Sequence, residues 1–326
     1  MSAQPHLSVL MITYNHERYI AEALDSVLSQ RTHFPFEIII GEDCSTDQTR
    51  AIVSHYRKRF PKRITLLARE RNIGMSRNFA ETYSFCRGRY VALLEGDDYW
   101  TNPYKLQQQV DFLDADSSFS ICYHDALVVG EHGRKEPWRW CTFTQPVSTL
   151  RDLIVGNYIP TCAAVVRNHQ VKEFPEWFFS LQMADWPFFI LNALHGKIAF
   201  LNQVMAHYRR ASGIWSGDSE IKNAQKLLHA CEVLRNQRFK GDFNHLISTE
   251  MFWCWCDLII KYTLAGKQEE ARKFRKQVIE YLTGHLWSVF ATGRTPIARR
   301  LKTLIKTFRV NSPQSSEKRA LSMAGQ

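Results

Sequence analysis

A run of acidic residues directly after an apolar segment limits the possible folds of this chain more than any other feature. Tyr90 to Leu94 has the composition of a buried strand, and Glu95-Gly96-Asp97-Asp98 follows it without a break. Carboxylates at a strand end supply the hard oxygen ligands that a divalent metal prefers. The run therefore predicts a strand that ends at a site for a cation. The alternative is a solvated acidic turn before a helix.

A second acidic turn, Glu42-Asp43-Cys44-Ser45-Thr46-Asp47, follows the apolar residues Phe36 to Ile40. In a parallel α/β sheet, ligands bind where the carboxyl ends of the strands converge, so we expect both acidic turns at one edge of the sheet. Ser45 or Thr46 is expected to cap the next helix, which begins with an acid in its first turn. Capping leaves Asp43 unexplained, and this favours a ligand at the second turn as well.

Strand-like and helical segments alternate along the first 130 residues. The predicted strands are Leu7 to Thr13, Phe36 to Ile40, Ile64 to Ala68 and Tyr90 to Leu94, and the predicted helices are Glu17 to Ser29, Thr46 to Arg59 and Ser76 to Cys86. Such alternation is typical of βαβ units and a mainly parallel sheet. The pattern predicts a Rossmann-like half-sheet.

The alternation becomes less regular after Asn102. The next predicted elements are a helix from Lys105 to Leu113, a strand from Phe119 to Val129, and apolar segments Cys162 to Val166 and Lys197 to Leu201 around a helix from Asp185 to His195. They predict a second, mixed part of the sheet. Beyond about residue 218 the patterns are helical only, over Ile221 to Arg238, Thr249 to Leu264 and Gln268 to Leu282. We predict an α/β domain over residues 1–217, with halves of about 7–130 and 131–217, and a smaller all-helical region over residues 218–310.

Length and charge limit the classes of partner. The chain has 326 residues, enough for a catalytic domain and a smaller appended one. Its 42 basic and 32 acidic residues give a net charge of +10, which favours anionic partners such as nucleotide diphosphates, anionic lipid surfaces or nucleic acid. Its eight cysteines form no Cys-x-x-Cys pair, so we expect reduced thiols and no metal at Cys254-x-Cys256.

The two ends of the chain carry expectations about location. No basic region precedes the short apolar run Leu7 to Ile12, and no window approaches the roughly 18 apolar residues of a membrane span, so we expect a cytoplasmic protein. Residues 285–310 alternate basic and apolar side chains at helical spacing without an acid, as in helices that lie on anionic membranes. The alternative is a helix that packs on the helical region. Residues 311–326 are predicted to be a disordered tail.

Five motifs in order resemble those of the nucleotide-sugar glycosyltransferases of family 2, which have the GT-A fold. They are Thr13-Tyr14-Asn15, the turn around Asp43, Asn72-Ile73-Gly74 with Arg77-Asn78, the turn Glu95 to Asp98, and Met183-Ala184-Asp185. The resemblance covers about residues 7–217. It implies an α/β fold, a GT-A Rossmann-like mixed sheet flanked by helices, and inverting transfer of a sugar from a nucleotide diphosphate, with UDP as the expected nucleotide.

The resemblance also implies roles in binding the donor. Thr13, Tyr14 and Asn15 would contact the nucleoside, and Asp43 would hydrogen-bond the nucleobase. Arg77 would reach the diphosphate, because a guanidinium forks onto phosphate oxygens. The alternative for Arg77 is an ordinary surface arginine.

Roles at the metal and in catalysis follow from the same resemblance. Asp98 would bind Mn²⁺ or Mg²⁺, Asp97 would contact the sugar or ribose, and His207 is a candidate third ligand. Asp185 would act as the general base that takes the proton of the acceptor hydroxyl. Ala184 departs from the family, where an acid is usual, and the alternative for Asp185 is a plain helix cap.

The leading interpretation is a metal-dependent, non-processive glycosyltransferase of surface polysaccharide assembly. Its partners would be a nucleotide-diphosphate sugar, a sugar or polyprenyl-linked saccharide acceptor, and an anionic membrane surface. A second hypothesis is a nucleotide-sugar-binding protein without catalysis, and its signs are Glu42 and Ala184, which depart from the family pattern. A third is a nucleic-acid binder, which the charge supports but which leaves both acidic strand ends unexplained; we therefore expect no nucleic acid.

Overall fold

A mixed β-sheet of ten strands organises the residues that carry the motifs. The computed structural model describes residues 4–130, 137–141, 144–210, 218–237, 239 and 243–291. The strands are β1 (Leu7–Thr13), β2 (Phe36–Glu42), β3 (Ile64–Ala68), β4 (Tyr90–Leu93), β5 (Tyr99–Trp100), β6 (Phe119–Val129), β7 (Trp138–Arg139), β8 (Val147–Ser148), β9 (Val165–Arg167) and β10 (Lys197–Arg209). Along the main path of the sheet the order is β3-β2-β1-β4-β9-β6-β10-β5, with β7 beside β6 and β8 beside β10.

The helices cover both predicted regions. In chain order they are α1 (Ile20–Leu28), α2 (Thr49–Arg59), α3 (Met75–Tyr83), α4 (Lys105–Ala115), α5 (Leu150–Leu153), α6 (Glu176–Phe179), α7 (Asp185–Ala193), α8 (Glu220–Arg235), α9 (Asn244–Leu264) and α10 (Gln268–Ala291). A 3₁₀ turn, Thr161–Ala163, lies between α5 and β9. Every helix predicted from the sequence within the described residues is present, with ends that mostly differ by a few residues. The exception is α10, which continues nine residues beyond the predicted end at Leu282 into the segment predicted as a separate basic helix.

The first half of the sheet is parallel, as predicted. Strand β1 pairs in parallel with β2, with Thr13 opposite Glu42, and on its other side with β4. All seven residues of β1 and all seven of β2 are buried, because helices cover both faces of a parallel sheet. This register places the ends of β1, β2 and β4 at one edge, which is the edge where both acidic turns were expected.

The second half of the sheet mixes directions. Strand β9 is antiparallel to both β4 and β6, while β10 runs parallel to β6. Strand β10 reaches Arg209, beyond the predicted end at Leu201, because its later residues also pair with β5, with His207 opposite Tyr99. The predicted strand-like segment from Cys162 is divided between the 3₁₀ turn and β9.

The chain divides into two compact units between Cys254 and Trp255. All ten strands belong to the first unit, which also contains α8, and the second unit contains α10. The predicted functional boundary between residues 217 and 218 stays a prediction. No helix in the described part of the chain has both the length and the apolar content needed to cross a bilayer. Residues 292–310 of the predicted basic helix and the tail 311–326 lie outside the described residues.

Candidate active site

The loop after β1 and the loop after β2 hold each other in place. The backbone N–H of Asn15 donates to Ser45 Oγ at 3.0 Å, and the N–H of Thr46 donates to Asn15 Oδ1 at 2.8 Å. Asn15 and Cys44 have φ values of 56° and 60°, which are unusual for residues other than glycine. Such values persist where surrounding contacts determine the backbone. The two loops therefore form one rigid rim at the edge of the sheet.

The predicted cap of α2 by Ser45 or Thr46 is wrong. The helix begins at Thr49, and the Ser45 hydroxyl instead accepts a hydrogen bond from the first loop. Asp47 does sit at the helix start, where its Oδ1 accepts the N–H of Thr49 at 2.9 Å. Its Oδ2 accepts the N–H of Glu17 at 3.0 Å. The polar residues of this turn therefore form hydrogen bonds with the loop after β1 as well as with the start of α2.

Asp43 holds a third loop at the same edge. Its carboxylate is 3% exposed and accepts the backbone N–H of Ile73 at 2.8 Å through Oδ1 and that of Gly74 at 3.0 Å through Oδ2. Gly74 has a φ of 86°, which glycine adopts without steric cost. Each carboxylate oxygen has a second lone pair, so Asp43 can still accept a hydrogen bond from a ligand.

A pocket of about 660 Å³ opens along this edge. It is lined by Ile12, Thr13, Tyr14, His16, Asp43, Asn72, Gly74, Met75, Asn78, Glu95, Asp97, Trp140, Gly156, Asn157, Thr161, Gln182, Met183, Asp185, Trp186, Tyr208 and Leu227. The volume lies in the range of small-molecule and cofactor sites. Of the predicted site residues, the pocket brings together Thr13, Tyr14, Asp43, Asp97 and Asp185.

The carboxylates of Glu95, Asp97 and Asp98 form one cluster, with a ligand atom from each within 4.8 Å of the others. Asp98 does not line the pocket but lies behind it, 1% exposed. Its Oδ1 accepts the backbone N–H of Arg209 at 2.7 Å. Its Oδ2 is buried and accepts no hydrogen bond from an N–H or O–H group of a described residue, while the Cys162 thiol interacts with the carboxylate. A buried carboxylate oxygen with no donor stronger than a thiol, next to two more carboxylates, fits a divalent cation.

Mutual repulsion and burial raise the proton affinity of this cluster. Burial, and then the charges of Asp97 and Asp98, raise the pKa of Glu95 well above its ordinary value. Burial and the charge of Asp97 likewise raise the pKa of Asp98, although the N–H of Arg209 opposes the shift. Either protons or a positive ion would relieve the negative charge of this cluster.

His16 is a pocket residue that the sequence reasoning missed. Its Nε2 lies 3.8 Å from Asp97 Oδ2, and its Nδ1 lies 3.2 Å from Thr13 Oγ1. It therefore connects the end of β1 to the acidic turn. Its place directly after Thr13-Tyr14-Asn15 was the available signal, but nothing in the chain order showed that it would meet Asp97.

Asp185 lies at the first position of α7 and lines the pocket. Its Oδ2 accepts hydrogen bonds from Asn157 Nδ2 at 2.8 Å and from Thr161 Oγ1 at 3.3 Å. Burial raises the pKa of this carboxyl, while hydrogen bonds to its charged form oppose the shift. The sequence reasoning missed Asn157 and Thr161, which lie more than twenty residues before Asp185 in a segment without a recognised motif.

Two of the predicted site residues, Arg77 and His207, do not line the pocket. Arg77 is exposed, with its guanidinium 5.2 Å from the centre of the Phe179 ring, while the next residue, Asn78, lines the pocket. Successive positions on a helix are about 100° apart, so only one of the two can face inward. His207 is hydrogen-bonded through Nδ1 to the Tyr99 hydroxyl and does not line the pocket, whereas Tyr208 does.

Side chains alternate between the faces of a strand, which explains the placement of His207. Asn15 also lies outside the pocket lining, where it holds the rim together. The ligand roles predicted for Arg77, His207 and Asn15 stay predictions, and none of the three lines the pocket in the described part of the chain.

Comparison with known proteins gives matches in sequence and in fold. The family model described as "Glycosyl transferase family 2" matches residues 8–212. The uncharacterized protein Rv1520 of Mycobacterium tuberculosis is 41% identical over 216 residues, which are 64% of this chain and 60% of that protein. The chain thus spans less than two thirds of the length of this relative.

Two solved structures resemble the whole described fold. Residues 1–349 of S. aureus TarS in complex with UDP-GlcNAc match with a TM-score of 0.58 and 21% identity, over 85% of this chain and 92% of that one. The mannosyltransferase PcManGT from Pyrobaculum calidifontis, in complex with GDP-Man and Mn²⁺, matches with a TM-score of 0.57 and 16% identity, over 95% of this chain and 88% of that one. These likenesses confirm the predicted GT-A fold.

Proposed function

The chain belongs to glycosyl transferase family 2, and from this premise we propose that it transfers a sugar with inversion from a UDP-sugar to a saccharide acceptor. The observation that carries the proposal is the single pocket that unites Asp43, Asp97 and Asp185. These three side chains come from the ends of β2 and β4 and from the start of α7. In this proposal Asp43 would bind the nucleobase, Asp97 the sugar, and Asp185 would act as the base for the acceptor.

The nucleoside would lie against the rim formed by the first two loops. Tyr14 lines the pocket there and offers a ring on which a base can pack, and Thr13 and Asp43 line the same region. Asp43 would accept the base N–H with a lone pair that its two backbone donors leave unused. The diphosphate would then extend toward the acidic turn.

The charge of the pocket supports metal dependence. Asp43, Glu95, Asp97 and Asp185 line it, and its described lining includes no lysine or arginine. A diphosphate would meet uncompensated negative charge there, so we propose that Mn²⁺ or Mg²⁺ is held by Asp98 within the carboxylate cluster. When bound, such an ion neutralises the charge that develops on the leaving diphosphate. PcManGT forms a complex with GDP-Man and Mn²⁺, which supports the proposal by analogy of fold.

Asp185 would act on the acceptor. Its carboxylate takes the proton of an acceptor hydroxyl while that oxygen forms a bond to the anomeric carbon. The bond between the anomeric carbon and the phosphate oxygen breaks, and UDP leaves with that electron pair. Attack opposite the leaving group inverts the anomeric configuration. Held together in one pocket, the donor and the acceptor react without the entropy loss of a bimolecular encounter.

The acceptor would bind beside apolar rings. Trp140 and Tyr208 line the pocket with their ring centres 4.6 Å apart, and Trp186 and Leu227 line it as well. Flat aromatic surfaces suit the apolar face of a sugar ring. We propose a hexosyl or N-acetylhexosaminyl transfer, without processivity, to a sugar or polyprenyl-linked saccharide in surface polysaccharide assembly. The name of TarS, poly(ribitol-phosphate) beta-N-acetylglucosaminyltransferase, supports this class of product.

The cellular setting belongs to the same proposal. We propose that the protein works in the cytoplasm, at the inner face of the plasma membrane, where an anionic surface would bind residues 285–310. Nucleic acid is not proposed as a partner, because the acidic pocket would repel its phosphates.

A binding protein without catalysis is the competing function. Its sequence signs were Glu42 and Ala184, which depart from the family pattern. Glu42 is fully buried, accepts the backbone N–H of Ser45 at 2.6 Å and pairs with Arg50, so this departure has a structural role at the rim. Asp185 keeps a position suited to a base next to Ala184. The structure therefore favours catalysis over binding alone.

Two successive measurements test the proposal. Nucleotide sugars are first screened for thermal stabilisation of the protein with Mn²⁺, with Mg²⁺ and with a chelator, because a ligand raises stability by mass action. UDP-sugars should stabilise only when a metal ion is present. The selected donor is then incubated with saccharide acceptors, and release of UDP is measured. Stabilisation without any release would support the binding protein, and stabilisation by no nucleotide sugar would reject both functions.

A further inference from the structure

We propose that Asn157 and Thr161 are positioning residues that hold one oxygen of Asp185 so that its other oxygen receives the acceptor proton. This inference rests on the proposed function of Asp185 as the general base. Asn157 Nδ2 and Thr161 Oγ1 both donate to the same atom, Asp185 Oδ2, at 2.8 and 3.3 Å. Two donors on one oxygen fix the rotation of the carboxylate, and Oδ1 would then receive the acceptor proton.

The orientation of the Asn157 amide follows from its second hydrogen bond. Asn157 Oδ1 accepts the backbone N–H of Ile159 at 3.1 Å, so the oxygen of the amide faces its own chain. The nitrogen must then face Asp185. An amide turned the other way would place two oxygens together and leave the N–H of Ile159 without its acceptor.

The frame around the three residues is anchored. Thr161 is 8% exposed and opens the 3₁₀ turn that precedes β9. Trp186, the residue after Asp185, is buried, and its Nε1 donates to the backbone oxygen of Leu153 at 2.8 Å. This bond ties the start of α7 to the end of α5, from which the segment containing Asn157 departs. Asn157, Thr161 and Asp185 therefore lie on segments that are anchored to one another, which limits the movement of the carboxylate.

The surroundings of Asp185 explain why such donors are needed. Burial raises the pKa of this carboxyl, and a protonated carboxyl is useless as a base. Two ionisable groups interact with it electrostatically, Glu95 from the end of β4 and Tyr208 from β10. Hydrogen bonds from Asn157 and Thr161, together with the backbone N–H groups at the start of α7, favour the charged form and oppose these effects.

A matched pair of variants at Thr161 provides the main test. Thr161→Val keeps the shape and removes the donor, whereas Thr161→Ser keeps the hydroxyl. Turnover is measured against pH with the donor that the stabilisation screen selects, at saturating donor and acceptor. We expect Thr161→Val to move the acid limb of kcat to higher pH and to lose about tenfold at low pH, with recovery at high pH. Thr161→Ser should retain the profile of the unaltered protein.

Asn157→Ala should act in the same direction, and the variant with both changes should shift the acid limb further than either alone. The KM for the donor should stay unchanged in every variant, because neither residue is assigned to the donor. A loss of kcat that is equal at all pH values, or an unchanged profile in Thr161→Val, would overturn the positioning role.

A second measurement is independent of turnover. Titration of the Asp185 side-chain carboxyl is followed by NMR in protein labelled at aspartate carboxyl carbons, with Asp185→Asn used for assignment. The midpoint should move to higher pH in Thr161→Val and stay in place in Thr161→Ser, and an unmoved midpoint in Thr161→Val would overturn the inference. Full transfer by Asp185→Asn would instead reject Asp185 as the base, which separates failure of the proposed function from failure of the positioning role.

Discussion

The carboxylate of Asp98 accepts a hydrogen bond from the backbone N–H of Arg209, although 111 residues separate them. The guanidinium of Arg209 also donates to the backbone oxygen of Asp97 at 2.6 Å and lies 4.4 Å from the centre of the Tyr99 ring. The acidic turn is therefore held against the last residue of β10. One oxygen of Asp98 has a structural partner, and the other remains available to the carboxylate cluster.

Asp98→Asn should abolish metal-dependent donor binding and leave the fold intact. Asparagine still offers an oxygen to the N–H of Arg209, but it removes the charge from the cluster that would hold the ion. The measurement is thermal stabilisation by the selected UDP-sugar with and without Mn²⁺. Asp111→Asn, an exposed change on α4, is the matched control. Full metal-dependent stabilisation of Asp98→Asn would contradict the assignment of Asp98 to the metal.

Asp185→Asn should leave donor affinity near that of the unaltered protein but reduce transfer by a factor of about 10² or more, as expected when a general base is lost. Asparagine fits the same space and cannot accept the proton. Donor affinity is measured by titration calorimetry and transfer by UDP release. Retained transfer would move the base to Glu95 or to another acid.

Gly96→Ala should destabilise the protein by about 1–3 kcal/mol, because overpacking displaces neighbouring groups. A Cβ at Gly96 would lie 2.5 Å from Thr13 Oγ1 and 2.9 Å from His16 Nδ1. Donor binding should weaken as well, since both neighbours line the pocket. Gly130→Ala is the control, because a Cβ there meets nothing within 4 Å. Equal urea unfolding curves for the two variants would refute the expected crowding.

Lys105→Met should stabilise the protein in a pH-dependent way. Lys105 is fully buried, no described residue hydrogen-bonds its Nζ, and that atom lies 4.0 Å from the centre of the Trp100 ring. Burial lowers the pKa of Lys105 to about 7 from 10.5. Between those values the unfolded chain binds more protons than the folded one, so the unaltered protein loses stability as the pH falls from 10.5 to 7.

The Lys105→Met variant has no buried amine and does not lose stability in this pH range. Its gain in the free energy of unfolding should therefore be negligible above pH 10.5, grow as the pH falls, and reach on the order of 3–5 kcal/mol near pH 7. Urea unfolding followed by tryptophan fluorescence at several pH values measures the difference. Lys58→Met, at an exposed position on α2, should show no such trend. A constant difference across the pH range would show that burial does not lower the pKa of Lys105.

Deletion of residues 285–326 should release the protein from anionic liposomes and spare donor binding. The deleted segment contains Arg294, Arg299, Arg300, Lys302, Lys306 and Arg309. Each basic residue near such a surface contributes about 1 kcal/mol, and the effect weakens with salt. Sedimentation with liposomes is compared at low and high ionic strength. Equal binding by the full chain and the deletion variant, or binding by neither, would favour a helix that packs on the helical region.

Much of the fold and part of the site could be predicted from the sequence. Whether a residue could be predicted depended on whether a local pattern determines its position. Strands β1 and β2 were predicted because every residue in their apolar runs is buried between helices. Thr13 ends β1, Asp43 directly follows β2 and Asp97 lies in the turn after β4, so the parallel register brings them together. His16, Asn157 and Thr161 reach the pocket only through contacts between distant segments, which no local pattern records.

Side-chain orientation was the second reason why the predicted site residues differ from those that line the pocket. Arg77 and His207 were predicted in the correct segments, yet each is one position away from a residue that lines the pocket, Asn78 and Tyr208 respectively. A motif identifies a segment, whereas the side chain that faces a ligand depends on the phase of the helix or strand. The predicted capping of α2 failed for a related reason, because the hydroxyl of Ser45 had a partner in another loop.

The reciprocal hydrogen bonds between the first two loops have a consequence for engineering the rim of the pocket. The N–H of Asn15 donates to Ser45 while its Oδ1 accepts the N–H of Thr46, and in the same way the N–H of Glu17 donates to Asp47 while its Oε2 accepts the N–H of Gln48. A loop grafted alone from a relative would leave donors and acceptors of the other loop unmatched. The segments 13–17 and 43–48 therefore form a single exchangeable module, and libraries that vary them jointly should contain more folded members than libraries that vary either one.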